Sequence, residues 1–139
     1  MNPIQKVYCR TYQTVLRLAL PVLPYRKPEM LHSISALPTL FKKKSIRRVL
    51  LVTDGSIRGC GLTAPLEQLL KKERIACVVY DKTVANPTTD NVEEARAKYL
   101  AGGCQAIIGF GGGSSIDCAK AVGARIAKPR QSLAQMEGI

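Results

Sequence analysis

Three short apolar runs stand out in the second part of the chain, each followed by turn-forming residues. They lie at residues 49–52, 76–80 and 106–110. A run of this length without polar alternation is typical of a strand covered on both faces of a parallel sheet. The pattern therefore predicts three buried strands.

Helices are predicted between and after these strands, because apolar residues recur there at helical spacing and capping residues mark the ends. The predicted segments are 63–72, 91–101 and 116–127. Asp90, or Thr89 before it, is a candidate cap for the second. Alternation of strand and helix at these spacings calls for right-handed crossovers. The sequence thus predicts an α/β fold, a Rossmann-like parallel sheet with flanking helices.

The first part of the chain is predicted to form an arm over residues 1–32, with helical periodicity from residue 4 to residue 20. Residues 33–139 are predicted to form the α/β domain, beginning with a short helix at 33–44 that has Pro38 near its first turn. The last residues, 132–139, resemble the start of another helical turn. We therefore expect the domain to be truncated at its carboxyl end.

A glycine-rich segment directly follows the third predicted strand, and it carries the candidate chemistry. It consists of Gly111, Gly112 and Gly113, followed by Ser114 and Ser115. A strand that ends in glycines and opens a helix exposes backbone N–H groups at the positive end of the helix dipole, which binds phosphate. Either serine is a candidate N-cap or a hydroxyl donor to a phosphate oxygen.

Asp117 lies three residues after Ser114, where its carboxylate can reach back to the helix cap, and Lys120 lies on the same helix face. The segment fits neither the G-x-G-x-x-G fingerprint nor the P-loop. One interpretation is a tight turn in which the glycines only allow the helix to pack closely on the strand. A position at the carboxyl end of a parallel strand favours ligand binding instead.

Asp54 ends the first predicted strand. An acid at this place can accept hydrogen bonds from both hydroxyls of an adenosine ribose and repels a 2′-phosphate, which favours NAD over NADP. A turn aspartate in Thr53-Asp54-Gly55 is an equally good interpretation of this residue alone.

Composition fits one globular domain, with 46% hydrophobic residues in a chain of 139. The net charge of +11 raises the question of a nucleic acid or an anionic membrane, but no aromatic interleaving or recognition motif accompanies it. The apolar stretch 15–23 is broken by Arg17 and Pro21, so no membrane span is predicted. Neither nucleic acid nor membrane is expected as a partner.

Five scattered cysteines and a single histidine, His32, offer no zinc-binding spacing. Their odd number, without a Cys-x-x-Cys pair, is typical of reduced thiols in a cytoplasmic protein.

Three segments together resemble the iron-containing alcohol dehydrogenases. They are residues 111–120, which match the signature GGGSxxDxAK, residues 52–54, Val-Thr-Asp, and residues 86–88, Asn-Pro-Thr. The resemblance extends from about residue 33 onward. It implies a dinucleotide bound across the glycine segment, with Asp54 near the adenosine ribose, Asn86 near the nicotinamide side and Gly112 to Ser115 on the pyrophosphate.

The reaction implied by this resemblance is reversible hydride transfer between a primary or secondary alcohol and NAD, with aldehyde or ketone as the product. A divalent metal, Fe²⁺ or Zn²⁺, polarises the alcohol oxygen. The family's metal ligands, one aspartate and three histidines, belong to a helical domain that matches nothing in this chain. We therefore expect no metal site and no catalytic side chain in residues 1–139, no turnover by them alone, and a homo-oligomer for the intact protein.

Other functions remain open from the sequence. A non-catalytic nucleotide-binding module and a related glycerol-dehydrogenase-like enzyme both share the predicted fold. A basic nucleic-acid binder is the least favoured, and it predicts binding that weakens steeply with salt.

Overall fold

The computed structural model describes residues 3–19 and 28–136, with side chains from residue 7 onward within these ranges. The chain divides into two compact units, Met1–Met30 and Leu31–Ile139. The first unit contains helix α1, Pro3–Ala19. This helix was predicted to end at residue 20, which lies outside the described residues. Among the helices described, none is long and apolar enough to cross a membrane.

The second unit alternates strands and helices as predicted. Its strands are β1 (Arg48–Val52), β2 (Ala76–Tyr80) and β3 (Ala106–Gly109). Its α-helices are α2 (Leu37–Lys43), α3 (Gly55–Gly59), α4 (Ala64–Lys72), α5 (Thr89–Ala101) and α6 (Gly113–Ala127). Two short 3₁₀ helices, Ile34–Ala36 and Ala134–Met136, complete it.

The three strands form one parallel sheet in the order β2-β1-β3. The predicted α/β fold with a parallel sheet and flanking helices is therefore confirmed. Strand β1 is central, and four of its five residues are buried, whereas β2 and β3 are largely half-buried edge strands. The prediction of a buried strand is confirmed for β1, whereas β2 and β3 are only partly buried.

Side chains of β1 alternate between two hydrophobic clusters, because successive residues of a strand point to opposite faces. On one face Leu50 and Val52 pack with residues of α5 and α6, among them Val92, Cys118 and Val122. On the other face Val49 and Leu51 pack with residues of α2 and α4, namely Phe41, Leu66 and Leu70. Helices thus cover both faces of the sheet. Because the strands are parallel, their carboxyl ends lie at the same edge of the sheet.

Helix α5 begins two residues earlier than predicted, because Thr88 rather than Asp90 or Thr89 is its N-cap. The Thr88 hydroxyl accepts the Asn91 amide, and the Asn91 side-chain oxygen accepts the Thr88 amide, both at 3.3 Å. This reciprocal pair is a capping box built with asparagine at the third position. The prediction for the short helix at 33–44 is confirmed, with a 3₁₀ turn before α2 and Pro38 in its first turn.

All five cysteines are free thiols, with Cys104 and Cys118 buried and Cys9 and Cys60 exposed. Burial raises the pKa of the half-buried Cys77 thiol to about 11. Its thiolate is therefore scarce at neutral pH, so Cys77 is a packing residue rather than a reactive one.

An ion pair joins α6 to α5 and makes the stability of the domain depend on pH. The Nε atom of Arg125, a residue 9% exposed, donates to Oε1 of Glu93 at 2.5 Å. This guanidinium, together with that of Arg96, lowers the pKa of the Glu93 carboxyl. Stabilisation by the pair is therefore present above the ordinary glutamate value of about 4.3 and is lost as the pH falls through the lowered folded value.

We expect Glu93→Gln to lower the free energy of unfolding of the intact protein by about 1 kcal/mol at neutral pH, discounted because Glu93 is partly exposed. The difference from wild type should shrink as the pH falls below the ordinary glutamate value of about 4.3, and it should vanish only below the lowered folded pKa of Glu93, where the carboxyl is neutral in both states. Urea unfolding across this pH range measures it. Glu94→Gln is the matched control, since Glu94 is 3.6 Å from the exposed Lys82. A difference for Glu93→Gln that stays constant into acid would contradict the assignment.

Candidate functional site

The candidate site lies at the carboxyl edge of the sheet, between β1 and β3. In the strand order β2-β1-β3, the chain passes from β1 to its neighbour β2 and then returns to form β3 on the other side of β1. The point between β1 and β3 is therefore a topological switch point. Open parallel sheets bind ligands in the crevice at such a switch point. A cavity of about 600 Å³ occupies it, lined by three loop segments, residues 54–56, 83–85 and 112–115.

Free backbone amides face this cavity. Helix α6 begins at Gly113, three residues before the predicted start, and its N-cap is Gly112, which offers no side-chain hydrogen bond. Among the described residues, no oxygen accepts a hydrogen bond from the amides of residues 111–115. Gly111, Gly112 and Gly113 are also exposed. The N-terminus of this 15-residue helix therefore presents unpaired N–H groups and a positive dipole end to a ligand.

Packing within the protein does not explain Gly112 and Gly113. A Cβ atom added at either would meet no atom within 4 Å. Gly111 differs, because its φ is +133° and an added Cβ would lie 3.0 Å from the Ser115 hydroxyl oxygen. The bare backbone at 112–113 is instead a cradle that side chains would fill, which fits an external group that must approach the amides closely.

Gly109 has a packing role that the sequence analysis missed. An added Cβ would lie 3.0 Å from the Ala119 side chain and 3.3 Å from the Ile116 Cα. This glycine therefore lets α6 approach β3 closely and fixes where the helix N-terminus points. The sequence feature that could have indicated this role is a glycine inside the apolar run 106–110, just before the glycine-rich segment.

The predicted roles of the two serines are corrected by their positions. Neither caps α6, because Gly112 does. Ser114 is half-buried and lines the cavity. Ser115 is only 1% exposed, and its hydroxyl lies 3.4 Å from Oδ2 of Asp54, which is its hydrogen-bond partner among the described residues. The spacing of Ser115 with Cys118 and Val122, at i, i+3 and i+7, was a sequence signal that it belongs to the buried face.

Asp54 faces the cavity and also caps a helix. The segment after β1 was predicted to be a glycine-rich turn, but Gly55–Gly59 form helix α3. Oδ1 of Asp54 accepts the Ile57 amide at 2.9 Å, which stabilises this short helix. A carboxylate has about four lone-pair positions, so Asp54 keeps acceptor capacity for a ligand in the cavity. The two interpretations of Asp54 are therefore compatible.

Asp117 lies away from the cradle. Its carboxylate is 68% exposed and pairs with Lys120 at 3.2 Å, which confirms that the two share a helix face. The prediction that Asp117 reaches back to the helix cap is wrong, because α6 begins earlier and Asp117 falls beyond its first turn. It lines a separate cavity of about 370 Å³, with Pro87 and Thr88.

Asn86 is exposed and does not line the 600 Å³ cavity, although Val84 and Ala85 before it do. A following proline favours an extended conformation, yet the φ of Asn86, which precedes Pro87, is +55°. Asparagine tolerates this left-handed conformation because its short polar side chain can hydrogen-bond locally. The loop therefore turns at Asn86, and its predicted role near nicotinamide stays a prediction.

Two buried threonine hydroxyls at this edge were not singled out from the sequence. Thr53 is 0% and Thr83 is 5% exposed, and within the part of the chain described neither Oγ1 makes a hydrogen bond of ordinary geometry. Thr83 lines the cavity. The Cys118 thiol lies beside its side chain, but a thiol is only a weak hydrogen-bond partner. Orphaned hydroxyls under a cavity fit a polar ligand or water there.

The described side chains fit a dinucleotide better than a metal ion. Across residues 7–19 and 28–136, no three His, Cys, Asp or Glu side chains come together as a metal site. The cavity is lined both by a helix N-terminus, which binds anions, and by the Asp54 carboxylate. A diphosphate with attached hydroxyl-bearing sugars matches both groups.

Comparison with known proteins finds relatives that match most of residues 30–138. The family model described as iron-containing alcohol dehydrogenase matches residues 30–138. Methanol:N,N-dimethyl-4-nitrosoaniline oxidoreductase from a Mycobacterium species is 38% identical over 97 residues, which are 70% of this chain and 23% of the relative. The 4-hydroxybutyrate dehydrogenase of Cupriavidus necator is 37% identical over 90 residues, 65% of this chain and 23% of the relative.

A similar solved structure is the NADH-dependent butanol dehydrogenase A from Thermotoga maritima. It superposes with a TM-score of 0.67 at 29% identity, covering 80% of this chain and 29% of that protein. The chain thus spans about a quarter of the length of the relatives that it matches.

Proposed function

The chain belongs to the iron-containing alcohol dehydrogenase family, and from this premise we propose that residues 33–139 are the NAD-binding portion of a metal-dependent alcohol dehydrogenase. One observation carries the proposal: a row of unpaired amides at the start of α6, above open glycines, faces the crevice where the strand order reverses. This geometry is a seat for the pyrophosphate of a dinucleotide.

In the proposed complex, the pyrophosphate oxygens accept hydrogen bonds from the amides of residues 112–115. Asp54, which lines the same cavity, accepts the hydroxyls of the adenosine ribose, and its negative charge disfavours the 2′-phosphate of NADP. Asn86 and Asp117, which lie outside this cavity, are proposed only as neighbours of the bound cofactor. Asn86 is carried by a loop whose preceding residues line the cavity, so the nicotinamide half would extend in that direction.

The proposed reaction transfers a hydride from an alcohol carbon to C4 of the nicotinamide of NAD⁺ and releases the hydroxyl proton, leaving an aldehyde or ketone, NADH and H⁺, and it is reversible. The residues of this chain contribute by binding and orientation: they fix the diphosphate and thereby the distance of nicotinamide from the substrate. When bound, Fe²⁺ or Zn²⁺ supplies a Lewis acid for the alcohol oxygen. Since the described residues hold no metal-binding cluster, we propose that its ligands belong to another part of the intact protein.

Small alcohols and their aldehydes are the proposed substrates, because the relatives bear the names of methanol, butanol and hydroxybutyrate enzymes. We further propose that the intact enzyme is a cytoplasmic homo-oligomer, and the five free thiols agree with a reducing compartment. A non-catalytic nucleotide module and a glycerol-dehydrogenase-like enzyme are the alternatives that the test below separates.

The intact protein that carries this chain is expected to reduce NAD⁺ when given a short primary or secondary alcohol, measured as NADH absorbance. Removal of divalent metal with a chelator should abolish turnover, and Fe²⁺ or Zn²⁺ should restore it. NAD affinity, measured by titration calorimetry, should change less than about twofold on metal removal, because the amide cradle needs no metal.

NAD binding without turnover on any alcohol, even with added metal, would favour the non-catalytic module. Turnover of glycerol at the expense of monohydric alcohols would favour the glycerol-dehydrogenase-like enzyme. Full activity after complete metal removal would contradict the proposed chemistry.

A further inference from the structure

We propose that Ser115 is a positioning residue that orients the Asp54 carboxylate and so sets the preference of the site for NAD over NADP. The inference rests on the proposed function, because it concerns the same cavity and the same cofactor. It goes further by assigning a specificity role to a buried hydroxyl that itself touches no ligand.

The Asp54 carboxylate is held by donors from two different segments. Oδ1 accepts the Ile57 amide at 2.9 Å, within the loop that follows β1. Oδ2 lies 3.4 Å from the hydroxyl of Ser115, in the first turn of α6 after β3. One donor fixes a single oxygen and leaves the carboxylate free to rotate about it, since this terminal torsion is soft. The second donor, from across the switch point, removes that freedom.

Burial restricts Ser115 to this role. The residue is 1% exposed, and Asp54 is the one hydrogen-bond partner of its hydroxyl within residues 28–136. Cys118 and Val122, both 0% exposed, continue its buried stripe along α6 and fix the rotation of the helix about its axis. At 3.4 Å the contact between the Ser115 hydroxyl and Oδ2 of Asp54 is a long hydrogen bond, so its expected contribution is orientation of the carboxylate with a modest energy.

Gly111 provides the space in which the two side chains meet. A Cβ at this position would lie 3.0 Å from the Ser115 hydroxyl oxygen and 3.4 Å from Oδ2 of Asp54. Contacts of this kind would push the pair apart, and the φ of +133° already favours glycine here. Gly111, Ser115 and Asp54 therefore form one unit at the wall of the cavity, next to the amides proposed to bind the diphosphate.

A carboxylate fixed in this way affects which of the two cofactors, NAD or NADP, binds more tightly. Two ribose hydroxyls need two acceptor positions at a fixed angle, which a held carboxylate supplies and a rotating one does not. Repulsion of a 2′-phosphate likewise depends on the carboxylate remaining directed into the cavity. Loss of the Ser115 hydroxyl should therefore weaken NAD binding while leaving NADP binding unchanged or slightly improved.

The test compares dissociation constants for NAD and NADP, measured by titration calorimetry on the intact protein. We expect Ser115→Ala to reduce the preference for NAD over NADP by roughly threefold to tenfold, the effect of one modest hydrogen bond. Ser115→Thr keeps the hydroxyl and should preserve the preference. Asp54→Asn should reduce the preference further, and adding Ser115→Ala to it should have no additional effect, because the serine acts through the aspartate.

Several results would overturn the inference. An equal loss of affinity for both cofactors in Ser115→Ala would show a purely structural role, and so would equal losses in the Ser115→Ala and Ser115→Thr variants. A Ser115→Ala effect that persists in the Asp54→Asn background would show that the serine does not act through Asp54. If Asp54→Asn leaves the preference unchanged while NAD still binds, this inference fails and the proposed function stands. If the wild-type protein binds neither cofactor, the proposed function itself fails.

Discussion

Replacing Gly112 by valine is expected to weaken NAD binding to the intact protein by at least roughly 100-fold. The amides next to this residue have no partner among the described residues, and the space above them is open. A branched side chain at the N-cap would occupy that space and keep a diphosphate from the N–H groups. Hydrogen bonds to charged groups contribute about 1.5–3 kcal/mol each, so losing two gives the stated factor.

Stability should hardly change in the same variant, and this separates a lost site from a lost fold. An added Cβ meets no atom within 4 Å, and the φ of −78° at Gly112 is accessible to valine. We expect at most about 1 kcal/mol of destabilisation, the cost of a poor N-cap residue. Titration calorimetry and thermal unfolding of one preparation measure both effects.

Gly59→Val is the matched control for this experiment. Gly59 also has open space around an added Cβ, and it ends α3 without lining the cavity. Its NAD affinity should stay within about twofold of wild type, since it contacts no proposed phosphate position. Equal affinities in the Gly112→Val and Gly59→Val proteins would exclude the amide cradle as the pyrophosphate site.

Truncating Leu50 to alanine is expected to have the largest effect on stability, about 3 kcal/mol within a range of about 2–5. Leu50 is 0% exposed in the central strand, and it packs in the cluster shared with α5 and α6. The cavity left behind would be closed in by strands on both sides and by helices above, so it cannot easily collapse.

The midpoint of urea unfolding of the intact protein measures this loss, with Leu62→Ala as its control. Leu62 is 54% exposed, so the same chemical change there should cost less than about 0.5 kcal/mol. A Leu50→Ala protein as stable as the Leu62→Ala protein would mean that β1 is not the centre of the core.

The strands and their parallel arrangement were predictable from the sequence, because a buried strand is visible there as a continuous apolar run. Val49 to Val52 form an unbroken apolar run, as a strand covered on both faces must. The helix after each strand leaves parallel pairing as the ordinary solution. Only the order β2-β1-β3, which places the switch point, needed the three-dimensional structure.

Helix starts were the least predictable features, because capping depends on competing local hydrogen bonds. A single carboxylate, Asp54, organises the glycine-containing α3, which composition alone favours as a turn. Glycine at the cap of α6 leaves its amides without a side-chain partner, whereas the two serines suggested a cap further on. The start of α6 was therefore predicted three residues too late, and the role of the amides in binding a pyrophosphate stays a prediction.

Contacts between distant segments could not be read from the sequence. Ser115 and Asp54 lie 61 positions apart and meet because β1 and β3 are neighbours. The same neighbourhood separates Asp117 from the cradle, since the rotation of α6 that buries Ser115 turns Asp117 outward. Motif spacing alone therefore does not distinguish the inward and outward faces of this segment.

A crystal structure of the intact protein with bound NAD tests the central claim most directly. The account predicts pyrophosphate oxygens within about 3.2 Å of at least two amide nitrogens of residues 112–115. Adenosine ribose hydroxyls should lie at the Asp54 carboxylate in the same structure. Cofactor phosphates bound elsewhere, with these amides facing solvent or paired to the protein's own oxygens, would contradict it.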